Sequence, residues 1–81
     1  MENLRAFEVT YKGPTNTRGS RVILKDLRFD VIKVIPFSYE KNDIGEMAND
    51  YLKLKGIDIL FCSEGKKGYI LTTRNFTNQI N

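Results

Sequence analysis

One stretch of this chain, and one only, carries a helical repeat. Ile44, Met47, Ala48, Tyr51 and Leu52 stand at i, i+3, i+4, i+7 and i+8, so a helix over residues 43–56 gathers them on one face. A single apolar stripe must be covered, and a lone helix finds that cover on a sheet. The ends of the helix are also written in the sequence. Asn42 or Asp43 can accept the orphan amides of the first turn, and with Asp43 as the cap Glu46 completes a capping-box spacing. Lys53 and Lys55 suit the carboxyl end of the helix dipole, and Gly56 suits the left-handed residue that follows it.

Elsewhere the period is two. Phe7, Val9 and Tyr11 share one parity over residues 4–12, and Ala6, Glu8 and Thr10 share the other, which indicates a half-buried strand. Residues 13–20 hold no apolar side chain and cluster Gly, Pro and Asn, so they form a loop. Two β-branched runs follow, Arg21 to Lys25 and Val31 to Ile35, with a tight reversal within Asp26 to Asp30. Pro36 lacks a ladder donor and therefore ends the third strand or places it at an edge. Ile57, Ile59 and Phe61 alternate as a fourth strand, Glu64 to Gly68 make a hairpin connection, and Tyr69 to Arg74 make a fifth strand. The expected architecture is α+β in the order β-β-β-α-β-β: a largely antiparallel five-stranded sheet with one helix packed on one face. Residues 1–81 read as one small domain, with 76–81 a tail expected to be mobile around its apolar anchors Phe76 and Ile80.

The residue inventory removes whole classes of chemistry. The chain has no histidine, which excludes every Ser-His or Cys-His nucleophile pair. Its single cysteine, Cys62, can form no internal disulfide and reads as a small buried or half-buried hydrophobe in the fourth strand. Glu40, Asp43, Glu46 and Asp50 match no metal-ligand spacing; Asp43 and Glu46 are explained by capping and dipole, and Asp50 can pair with Lys53 at i+3. No enzyme and no cofactor are expected. No apolar run approaches the length of a membrane span, and the start at Met1 lacks the apolar core of a signal peptide, so a cytoplasmic protein is the expectation.

Charge is distributed unevenly. The chain carries 13 Lys and Arg against 10 Asp and Glu, a net of +3, with both ends basic and the helical middle acidic. The loop Thr15-Asn16-Thr17-Arg18-Gly19-Ser20-Arg21 offers hydroxyls, two guanidinium groups and a glycine, a set suited to phosphate oxygens. Read blandly, it is a solvated hairpin loop. With the N-terminal strands adjacent, Arg21, Lys25 and Lys33 line one strip, and Arg5, Lys12, Arg28 and Arg74 add charge elsewhere. Phe7, Tyr11, Phe29 and Tyr69 are the aromatic side chains available to stack on bases, although the same positions suit a core. Lys66 and Lys67 at the hairpin tip either contact phosphate or discourage edge pairing. Phe37 and Tyr39 either staple the helix to the sheet or belong to a protein interface.

Phe7 to Tyr11 followed by Thr15 to Val22, with the later Glu46-Met47-Ala48, Tyr51-Leu52 and Gly68-Tyr69-Ile70-Leu71, resembles small uncharacterised accessory proteins of bacteriophages and bacterial mobile elements. Residues 21–74 also resemble the β-grasp shape. The first resemblance implies a nucleic-acid binder or a blocker of a host protein. The expected function is a small binding module that contacts nucleic-acid phosphates through Arg18, Arg21, Lys25, Lys66 and Lys67. The alternatives are a factor that inhibits or modulates a host protein, and a structural homodimer that buries the free sheet face.

Overall fold

The computed structural model describes residues 3–17, 19–38, 40 and 43–80. Five strands form one sheet: β1 (Arg5–Lys12), β2 (Arg21–Asp26), β3 (Val31–Pro36), β4 (Phe61–Glu64) and β5 (Gly68–Thr73). The helix α1 (Ile44–Leu54) lies between β3 and β4 in the chain. The strand order is β3-β2-β1-β5-β4, and every neighbouring pair is antiparallel. The expected order of elements is therefore the observed one. The β-grasp likeness does not extend to the strand order. Residues 21–74 leave out β1, and β1 is the middle strand that joins β2 to β5.

Cross-strand register sorts the side chains into two faces. Phe7 stands opposite Asp26 and Leu71, and Val9 opposite Leu24 and Tyr69. This face carries the helix, and Phe7, Val9, Val22, Leu24, Leu71, Met47, Ala48 and Leu52 form the core between them. Period two on the strands and period 3.6 on the helix meet in one apolar layer.

The helix ends where its sequence says. Asp43 is the N-cap, and its Oδ1 accepts from the Gly45 amide at 2.9 Å. At the other end the amides of Gly56 and Ile57 donate to the carbonyls of Lys53 and Leu52, a Schellman closure with Gly56 at φ 79°. A Cβ on Gly56 would also lie 2.7 Å from Nδ2 of Asn78, which itself donates to the Lys55 carbonyl at 2.8 Å.

That contact shows what the C-terminal segment does. Residues 76–80, expected from the sequence to be mobile, are anchored across the helix end. Ile80 is fully buried in the core, and the Tyr51 hydroxyl donates to its carbonyl at 2.5 Å. The buried Ile80 and the amide side chains of Asn75 and Asn78, which donate to the Gly56 and Lys55 carbonyls, together anchor it.

The reversal between β2 and β3 is built on Asp26. Its Oδ1 accepts from the amides of Arg28 at 3.0 Å and Phe29 at 3.4 Å, and Asp30 takes φ 55°. The same carboxylate holds Arg5, with Nη2 donating to Oδ2 at 2.5 Å and Nε to Oδ1 at 3.4 Å. Both side chains are fully buried. The Arg5 guanidinium also donates to the Asn75 carbonyl at 3.1 Å and lies over the rings of Phe7 and Phe29 at 4.8 and 4.9 Å. One ion pair thereby joins the start of β1, the turn after β2 and the C-terminal segment.

Candidate nucleic-acid interface

The face of the sheet away from α1 carries Glu8, Thr10 and Lys12 of β1, Arg21, Ile23 and Lys25 of β2, Ile32 and Val34 of β3, and Ile70 of β5. Each follows from strand parity, because these residues alternate with the buried set. On this face Lys12 stands directly opposite Arg21, and Glu8 opposite Lys25. Like charges facing each other across two strands are unfavourable unless an anion lies between them. Arg21 donates only a long bond, 3.5 Å, to the Gly19 carbonyl among the described residues. Lys25 reaches Asp30 at 3.8 Å, a solvent-exposed pair worth little.

The hairpin between β4 and β5 brings two further cations to the same end of the sheet. Gly65 donates to the Gly68 carbonyl at 2.7 Å, which leaves Lys66 and Lys67 exposed at the tip. Thr10 pairs with Gly68, two positions before Lys12. Gly68 is required there, since a Cβ would collide with the Val9 carbonyl oxygen. A shallow cavity of about 250 Å³ opens over this glycine, lined by Glu8, Thr10, Gly65, Lys66, Lys67 and Ile70 among others.

Three of the five residues singled out from the sequence, Arg21, Lys66 and Lys67, are thus brought to one end of the sheet, while Lys25 lies on the free face towards the other end of β2, opposite Glu8. Arg18 lies outside the described residues, as does Tyr39. Lys12, which counted only as part of a general basic set, joins the group through its register with Arg21. A pairing rule for the two strands flanking the loop would have found it.

Other expectations need correction. Lys33 does not share the strip with Arg21 and Lys25, because it stands opposite Leu24 on the helix side. Arg5 is consumed by the internal ion pair. Arg28 lies over the rings of Phe29 and Phe76 at the opposite end of the sheet. The aromatic platform is not on the free face. Phe7 is buried, Tyr69 packs beneath Gly45, and Tyr11 meets Phe37 edge-on at 5.4 Å while its hydroxyl bonds Ser20. Phe37 thus packs against the sheet beside the core. Cys62 is exposed rather than buried, because β4 lies at the edge beyond the reach of the helix. Among the described residues no helix is long and apolar enough to cross a membrane. No protein-family model, no curated protein and no solved structure matches this chain.

Proposed function

We propose that this protein is a non-enzymatic binding module that holds nucleic acid by its phosphates on the uncovered face of the sheet. The observation that carries this reading is the direct opposition of Lys12 and Arg21, with Lys66 and Lys67 at the same end. A phosphate between Lys12 and Arg21 converts a like-charge contact into two charge-assisted ones. Lys25 extends the charge along the face, and Arg18 belongs to the loop that precedes Arg21. Base stacking contributes little, since the free face carries no aromatic side chain except Phe61 at its β4 margin among the described residues.

The test is a mobility shift with duplex and single-stranded oligonucleotides at about 50 and 200 mM salt, for wild type and for Arg21→Ala/Lys66→Ala/Lys67→Ala, since each phosphate contact adds about 0.9 to the slope of log K against log salt. Binding should be steeply salt-dependent, and the triple variant should lose two or three units of slope. A wild type that fails to shift either oligonucleotide at low salt removes the reading.

A second reading rests on a different observation. Ile32 is 60% exposed and Val34 45% exposed on the free face, and the half-buried Ile23 stands directly opposite Val34. Apolar surface of this kind suits a protein partner, such as the host protein that a phage or mobile-element factor would block, or a second copy of the chain. A complex in which Ile32→Lys/Val34→Lys abolishes binding while the triple variant does not would favour it.

A further inference from the structure

The sheet has two edges, and they are not equivalent. In β3 the amide of Phe37 donates to the Ser20 carbonyl, which sets the alternation so that Ile32, Val34 and Pro36 direct their backbone groups outward. Pro36 thus removes one outward donor, and Lys33 places a charge on the helix side of the strand. Both are devices that discourage the addition of another strand.

In β4 the bond from Gly65 to Gly68 sets the alternation so that Cys62 and Glu64 direct their backbone groups outward. No proline stands in β4, and all four of its residues are exposed. Beside it runs a groove of about 350 Å³ between β4 and the first turns of α1. Its apolar wall includes Ile59 and Leu60, while Phe61, 62% exposed, stands opposite Thr72 and belongs to the other face of β4. Its opposite wall is acidic, with Asp43 and Glu46 from the start of the helix, and Glu64 stands on the same side of β4. Asn49 also lines the groove, and its Oδ1 is buried with no hydrogen-bond partner among the described residues.

From these features we infer that β4 is a docking edge for an extended peptide segment of a partner protein, one that alternates basic and apolar side chains. The outward groups of Cys62 and Glu64 supply the main-chain bonds of strand addition. A segment added there turns alternate side chains to the two faces. Its basic residues face Glu46, Asp43 and Glu64 across the groove, and its apolar residues lie beside Phe61 on the other face. Charge complementarity selects the occupant: the acidic wall repels nucleic acid, so this surface is separate from the basic end of the free face.

A dye-labelled peptide of alternating valine and lysine is the probe, with its valine–glutamate counterpart as control, read by fluorescence anisotropy. The lysine peptide should bind the intact protein and slow the reaction of the exposed Cys62 thiol with a disulfide reagent. Cys62→Pro deletes one outward donor at an edge position that tolerates proline. Glu46→Lys/Glu64→Lys reverses the wall without touching the core. Each variant, and the glutamate peptide, should weaken binding at least tenfold. The inference is overturned if the lysine peptide does not bind, or if it binds both variants as well as wild type. It is also overturned if light scattering shows a dimer that itself protects Cys62, because the occupant is then a second copy.

Discussion

Arg5 and Arg21 begin adjacent antiparallel strands and so stand at opposite ends of the sheet. Arg5 is sealed: its charge is met by Asp26, a further donor by the Asn75 carbonyl, and its guanidinium lies over the rings of Phe7 and Phe29. Arg21 is open, facing Lys12 across the strands. The same residue type serves cohesion at one end and surface potential at the other. The difference lies in which neighbours the register supplies. A buried pair is costly to break and contributes little net stability over an apolar substitute, whereas an unpaired surface cation contributes almost nothing to folding and remains available for binding.

The sharpest way to break this comparison is to remove one member of the sealed pair. Asp26→Ala and Arg5→Ala should each cost about 3–5 kcal/mol in denaturant unfolding, because each leaves a buried charge uncompensated. Asp26→Ala should be the worse of the two, since it also strips acceptors from the amides of Arg28 and Phe29. Equal midpoints for these variants and wild type would show that the pair is not internal. At the same end, Gly56→Ala should cost about 1–2 kcal/mol, since alanine pays to adopt positive φ and its Cβ meets Asn78. A thermal midpoint unchanged by that substitution would contradict the described contact with the C-terminal segment.

The open end should be far more tolerant. Asp43→Ala, which removes the helix cap there, should cost about 1 kcal/mol by chemical denaturation. Arg21→Ala/Lys66→Ala/Lys67→Ala should leave stability within about 0.5 kcal/mol while changing the salt dependence of binding. A large stability loss in this triple variant would show that the basic end is structural, and the contrast with Arg5 would fail.

The two ends differ also in how much of them could be read from the chain. Both ends of the helix were legible, at Asp43 and at Gly56, because capping is local and its signals lie within a few residues. Strand order was not, since nothing in residues 5–12 states that they pair with residues on both sides. Arg5 with Asp26 is invisible for the same reason: 21 positions separate them, and only register brings them together. Cys62 shows the limit of alternation, which gives the parity of a side chain but not whether a helix reaches far enough to cover it. The basic end was legible as composition and became a site only when β1 and β2 set Lys12 against Arg21.

The central position of β1 also governs when the molecule can assemble. Arg5 is partnered by Thr73, so the middle of the sheet is completed only when the fifth of its five strands has emerged during synthesis. Until then the meander of the first three strands has one flank of Phe7 and Val9 without a neighbour, and that flank is open to capture by other nascent chains. Closure across so long a loop is slow. The period of greatest vulnerability to aggregation therefore falls between release of the third strand and arrival of the fifth, and a truncation that spares every residue up to Ser63 should still yield insoluble product.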